Sequence, residues 1–205
     1  MMSSESITIV NVGYRSTNFW VISAGDSRLL VDIGWPGSMG RMRSILKRMD
    51  VPLEEIRYTL ATHYHIDHAG LAQDFKQAGI PLLVMDVQVE AIPQMKTWIK
   101  PADHYTEIIP EGNVVISCAE SRALLAGIGI PGEILHTPGH SQDSVSLLLD
   151  DGSVFTGDLT RPDRVGVEDP DVVFASWRSL WERGARRVYP GHGPIRSMDE
   201  PGRGG

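Results

Sequence analysis

Residues 61–70 read ATHYHIDHAG and place His63, His65, Asp67 and His68 within six positions, which takes three of the chain's seven histidines. Imidazole and carboxylate together suit borderline first-row divalent ions: zinc above all, with iron or manganese as alternatives. Three further donors fall elsewhere, His140 in HTPGHS, Asp158 in FTGDL and His192 in YPGHG. Each follows an apolar, strand-like run and is immediately preceded by a glycine: Gly139, Gly157 and Gly191. Glycine permits the tight, backbone-close turn that ends a strand and aims the next side chain sideways. Five histidines and two aspartates make seven donors, whereas a structural zinc takes four. Two divalent ions fit better, with one carboxylate bridging and a position left for a shared water. Such a pair, about 3.5–4 Å apart, lowers the pKa of water toward neutrality and makes hydroxide available to attack a carbonyl. Ester, thioester, lactone and phosphoester hydrolysis all suit that chemistry.

The elements that must position these groups can be read from period and punctuation. SITIVNVG, FWVISAG and SRLLVDIG read as a meander of short strands. SMGRMRSILKRMD repeats its apolar residues every 3.6 positions and predicts an amphipathic helix. Strand IRYTLAT leads into the histidine turn, so His63 and His65, two apart, share a side, and Asp67 and His68 enter the next helix, LAQDFKQAG. Strand PLLVMD follows; then the proline-broken stretch 87–112 predicts short helices and loops that cover the site as a flap. NVVIS, helix ESRALLAG, strand GEILHT, the pair SVSLLLDD and GSVFTGD, helix DVVFASWRSLWERG and strand RRVYPG complete the order. Alternating strands and helices argue an α/β fold with ligands at strand ends.

The totals narrow the function classes. With 205 residues, 41% of them apolar, the chain suits a single domain over 1–198, with 199–205 a disordered tail. A net charge of −7 argues against nucleic acid as a partner. No apolar run reaches the roughly 20 residues that span a bilayer, so no membrane association is expected. The lone Cys118 cannot form an intrachain disulfide, and the start MMSSESITIVN lacks a signal-peptide pattern. The expected location is cytoplasmic and the expected partner a small-molecule substrate; the oligomeric state is open.

The strings H-x-H-x-D-H at 63–68, PGH at 138–140, TGD at 156–158 and PGHG at 190–193 together resemble the metallo-β-lactamase-fold hydrolases over nearly the whole chain. The resemblance implies a four-layer αβ/βα sandwich. It implies that His63, His65 and His140 hold one ion, that Asp67, His68 and His192 hold the other, and that Asp158 bridges them. It also gives Asp67 a role in proton handling and makes Asp32, in LLVDIG, an orienting carboxylate behind the ligands. The implied activity is a dinuclear hydrolase in which a metal-bridging hydroxide attacks an ester, thioester or lactone carbonyl. The alternatives are a mononuclear iron dioxygenase of the persulfide dioxygenase kind and a non-catalytic metal-binding relative.

Departures sort the members. The familiar zinc β-lactamases carry cysteine where this chain has Asp158 and lack a ligating histidine at the place of His68, so a typical β-lactamase is disfavoured. Glyoxalase II enzymes share the seven ligands but continue into a glutathione-binding helical domain, whereas 13 residues follow His192 here. Acyl-homoserine lactonases carry tyrosine where this chain has Arg161, a guanidinium suited to gripping a carboxylate or phosphate of the substrate. GIGIPG at 127–132 matches a dinucleotide fingerprint in letters only. A helix precedes it and a strand follows, the reverse of what that motif requires, so it reads as a helix cap and turn. His104 is expected in an exposed loop, and His136 packed or supporting the ligands.

Overall fold

A computed structural model describes residues 6–198; the predicted tail at 199–205 lies outside the described residues. Strands β1 (Thr8–Asn11), β2 (Trp20–Ala24) and β3 (Ser27–Val31) form the antiparallel meander. Helix α1 (Met39–Arg48) then leads to β4 (Ile56–Leu60), and the histidine turn carries the short helix α2 (Ile66–Ala69) and α3 (Ala72–Gln77). Strands β5 (Leu82–Met85) and β6 (Asn113–Ile116) join β4 in parallel, which completes a six-stranded sheet in chain order. After α4 (Ser121–Gly127) come β7 (Gly132–His136), β8 (Val145–Leu149) and β9 (Ser153–Gly157), then α5 (Pro170–Glu182), β10 (Arg187–Pro190) and β11 (Arg196–Ser197). These form the second sheet, ordered β11-β10-β9-β8-β7, in which β9 and β10 are parallel.

The layering follows from alternation along strands that are buried on both faces. Leu29 and Val31 of β3 and Leu83 and Met85 of β5 point inward, against Leu147 and Leu149 of β8 and Phe155 of β9. Their neighbours Leu30, Leu82 and Val84 point outward and pack on Met42, Ile45 and Leu46 of α1 and Phe75 of α3. On the far side Leu148, Val154 and Val188 pack on Val173, Trp177 and Leu180 of α5. Side chains of period two on doubly covered strands give continuous apolar runs, and the outcome is helix, sheet, sheet, helix. This is the four-layer α/β sandwich that the sequence predicts.

Residues 86–103 wind into three short 3-10 turns rather than a longer element. Met95 and Ile108 anchor this stretch in the core next to α1 and α3, while Trp98 stays 68% exposed. In the 127–132 string, Gly127 closes α4, Gly129 takes φ 77° and β7 starts at Gly132, which is the cap and turn expected there.

Candidate metal centre

The ends of β4, β8, β9 and β10 come together along one edge of the sandwich. Gly157 adopts φ 51°, and a Cβ there would run into Thr62; a Cβ at Gly191 would run into Asp158 and His68. Gly191 N–H donates to the Gly157 carbonyl at 2.8 Å, which ties β9 and β10 together just where Asp158 and His192 project. The glycines that precede the donors thus serve close approach as well as turning.

Three donor groups emerge: His63 with His65 and His140; His63 with His68 and Asp158; and Asp67 with His68 and His192. In the first, His63 Nε2 lies 3.0 Å from His65 Nδ1, which lies 3.1 Å from His140 Nε2. In the last, His192 Nε2 is 3.2 Å from Asp67 Oδ2, and His68 Nε2 is 3.5 Å from the same oxygen. Asp158 Oδ2 stands between the groups, 3.4 Å from His68 Nε2, 3.3 Å from His192 Nε2 and 3.9 Å from His140 Nε2. All seven predicted donors therefore share one volume.

The centre's own fit to metal is testable in its polar atoms. Tetrahedral donors about 2.0–2.1 Å from a zinc would sit roughly 3.3 Å from one another, near the spacing found among the three imidazoles. His68 Nε2 and Asp158 Oδ1 are buried without a hydrogen-bond partner among the described residues, a costly state for polar atoms in a folded interior. Nitrogen and carboxylate oxygen donors so placed fit divalent ions.

Behind them, Asp32 is 1% exposed and directs Oδ2 to within 2.9 Å of His68 Nδ1. It is a close charge contact, and neither atom has a hydrogen-bond partner among the described residues. Asp32 Oδ1 accepts from the Thr62 backbone N–H at 2.9 Å and from Thr62 Oγ1 at 2.8 Å. The residue itself takes φ 59° at the end of β3, a left-handed conformation that aspartate tolerates better than most side chains.

The charges are mutually arranged. Burial works against charging His68, but the carboxylates of Asp32 and Asp158 outweigh it and raise its pKa well above the ordinary value. Hydrogen bonds to Asp158 and Asp67 push His192 up to about 10. Burial, reinforced by His68, pushes His63 well below the usual imidazole range, and burial also lowers His140. Burial would raise Asp67, yet hydrogen bonding from His192, the charge of His68 and the Thr17 hydroxyl together hold it below the usual carboxylate range. Asp158 is lowered further, its closeness to His192 and His68 overcoming its burial.

Several supporting groups carry no signal in the sequence. The 13–18 loop between β1 and β2 crosses the site: Thr17 Oγ1 donates to Asp67 Oδ2 at 3.0 Å, and the Ser16 carbonyl accepts from His192 Nδ1 at 2.6 Å. The Asn18 backbone N–H donates to the Gly191 carbonyl at 2.7 Å. Gln88, fully buried, reaches the carbonyls of Ala61, Thr62 and Asp143 with its amide nitrogen at 3.1, 3.3 and 3.2 Å. Asp143 Oδ2 in turn accepts from the Tyr64 backbone N–H at 2.8 Å. A threonine before a strand and a glutamine in an irregular stretch look ordinary without the fold.

Other predicted residues contribute none of the donor groups found among the described residues. Arg161 is forked onto Asp163, with Nε–Oδ1 at 2.8 Å and Nη2–Oδ2 at 2.6 Å. His104 is exposed at φ 52°. His136 departs from expectation: it ends β7 at the solvent-facing rim, and its Nε2 lies 2.7 Å from the Gln142 carbonyl. Ile134 is the last residue of the strand buried between the sheets and Leu135 the last buried against α5, so the apolar cover of the strand ends before His136.

Fold and donor set together define a class, and comparison with known proteins gives it a name. The family model of the metallo-beta-lactamase superfamily matches residues 12–192, and the chain belongs to that superfamily. A beta-lactamase-like protein 2 homolog from Drosophila melanogaster is 27% identical over 91% of this chain and 61% of its own length. An atrochrysone carboxyl ACP thioesterase from Aspergillus fumigatus is 29% identical over 88% of this chain and 52% of its own length. The chain thus spans about half to three fifths of the length of these curated relatives. Among solved structures, TTHA1623 in a di-iron-bound form superposes with a TM-score of 0.68 at 24% identity, over 93% of this chain and 94% of that one. Among the described residues, no helix is long and apolar enough to cross a membrane.

Proposed function

We propose that the chain is a dinuclear metal-dependent hydrolase that cleaves an ester, thioester or lactone of a small, acidic substrate. The observation that carries this reading is the position of Asp158 Oδ2 between a three-imidazole group and the Asp67–His68–His192 group. His63, His65 and His140 would hold one ion, Asp67, His68 and His192 the other, and Asp158 would bridge. Bound divalent ions, zinc by the donor set with iron or manganese as alternatives, would supply activated water and polarisation of the carbonyl.

The chain's own groups do the rest. Asp32 keeps the proton of His68 on Nδ1 and leaves Nε2 to face the centre; the Ser16 carbonyl does the same for His192. Asp67, which accepts from Thr17, would take a proton from water and return it to the leaving group. The thioesterase among the relatives supports a thioester as the first substrate class to try. Aspartate at 158 and histidine at 68 make this site unlike that of a typical zinc β-lactamase.

The test is to purify the chain without added metal, quantify zinc, iron and manganese per chain, and assay ester, thioester and lactone panels before and after chelation. Two ions per chain with chelator-sensitive hydrolysis is the expected result. One iron with oxygen consumption points to the dioxygenase alternative, and bound ions without turnover to a non-catalytic relative. Hydrolysis that survives complete metal removal overturns the mechanism.

A further inference from the structure

The loop that crosses the metal centre also carries a cation. Arg15, adjacent to Ser16 and Thr17, is exposed and takes φ 57°. Its guanidinium lies over the ring of Trp35, with Cζ 4.8 Å from the centroid. Trp35 is joined to the centre, because its Nε1–H donates to Thr17 Oγ1 at 3.3 Å and Thr17 donates to Asp67. One stacked ring and two hydrogen bonds therefore separate Arg15 from a predicted ligand.

A second guanidinium sits on the same shelf. Arg41, exposed in the first turn of α1, lies over Tyr14 with Cζ 4.9 Å from the ring centroid. The Tyr14 hydroxyl meets both Ser38 Oγ and the Trp35 backbone N–H. Burial raises the Tyr14 hydroxyl's pKa, and the charges of Arg15 and Arg41 oppose that rise, so both cations act on one phenol.

Neither guanidinium has a carboxylate within ion-pair distance among the described residues. Arg28 is paired with Glu55, Arg122 with Asp150, Arg161 with Asp163 and Arg183 with Glu133. Stacking engages the face of a guanidinium, whereas the N–H edge is the part that grips carboxylate or phosphate. What sets Arg15 and Arg41 together is that both act on Tyr14, whose hydroxyl meets the Trp35 backbone, while Trp35 is bonded to Thr17 at the donor cluster.

We propose that Arg15 and Arg41, seated on Trp35 and Tyr14, form a subsite for an oxyanion that the substrate carries away from its reacting carbonyl. This rests on the hydrolase reading above. The group is a carboxylate or a phosphate, on either the acyl arm or the leaving group. Arg161, already forked onto Asp163, is not needed for it.

Three thioesters separate the possibilities in the zinc-loaded protein. Butyryl-N-acetylcysteamine is neutral, butyryl-coenzyme A carries phosphates on its leaving group, and glutaryl-N-acetylcysteamine carries a carboxylate on its acyl arm. One of the charged substrates should exceed the neutral one in kcat/KM by about tenfold or more, through KM. Arg15→Gln and, separately, Arg41→Gln should compress that ratio to within about twofold. Which arm responds identifies the anion. A wild-type protein that hydrolyses all three equally, or variants that keep the ratio, overturn the subsite while leaving the hydrolase reading intact. Should none be hydrolysed, the thioester reading fails, and the subsite is decided on metal-free protein titrated with pyrophosphate and with glutarate. A saturable fluorescence change that is lost in both Trp35→Phe and Arg15→Gln supports it; no saturable change with either anion overturns it.

Discussion

Asp32 Oδ2 lies 2.9 Å from His68 Nδ1, with both side chains withdrawn from solvent. The other ring nitrogen, Nε2, is the one that lies near Asp67 and Asp158. Replacing the carboxylate with an amide of the same shape, Asp32→Asn, removes the negative charge and sets an N–H against an N–H. Affinity for the ion held by Asp67, His68 and His192 should fall by about 10–100-fold, while the three-imidazole group keeps its ion. Competition against a chromophoric chelator should then show one tight site per chain; two tight sites would deny Asp32 this role.

Gly191→Ala tests the close approach directly. Its Cβ meets Asp158 and His68, so occupancy at the centre should drop below one ion per chain and turnover should disappear. Gly184→Ala is the control: its backbone takes φ 99° with nothing within 4 Å of a new Cβ, so it should lower stability by about 1–3 kcal/mol through strain alone. Equal metal content in the two variants would contradict the steric argument.

Metal removal should be visible in stability as well as in activity. A ligand at about 100 times its dissociation constant stabilises a fold by roughly 2.7 kcal/mol. For a domain of this size that corresponds to about 5–10 °C in Tm. Scanning calorimetry with and without chelator measures it, and zinc added back should restore the original Tm. An unchanged Tm would mean that the donors hold no ion in the folded protein.

Gln88 reaches three carbonyls around the histidine turn and is wholly buried. Gln88→Leu keeps most of the volume but leaves those acceptors unsatisfied, which should cost about 2–4 kcal/mol. Urea unfolding checks this. A loss within about 0.5 kcal/mol, the range of ordinary surface substitutions, would show that the amide is dispensable.

The donors were legible because metal chemistry restricts residue type and because glycine marks each strand end. The strands were legible because period-two burial on both faces leaves continuous apolar runs such as those of β5 and β8. Thr17, Gln88 and Asp143 were not. Their importance comes from contacts across long separations, such as the one between Thr17 and Asp67, and nothing in the local sequence encodes that pairing. His136 went astray for a related reason: its spacing from His140 suggested support of a ligand, while the rim of the sheet turned it toward solvent. Arg161 is legible by its closeness to Asp158 in sequence, whereas its exposed ion pair with Asp163 is visible only in the fold.

The contacts of Asn18 with Gly191 and of Ser16 with His192 close a circuit between the first hairpin and the last parallel strand. A ribosome delivers His63 long before His192, so a growing chain possesses one half of its donor set while the other half is still unmade. Assembly of the Asp67 group must wait until β10 has docked. His63, His65 and His140 all precede that strand in the chain, so the three-imidazole group is encoded whole before the Asp67 group can be completed.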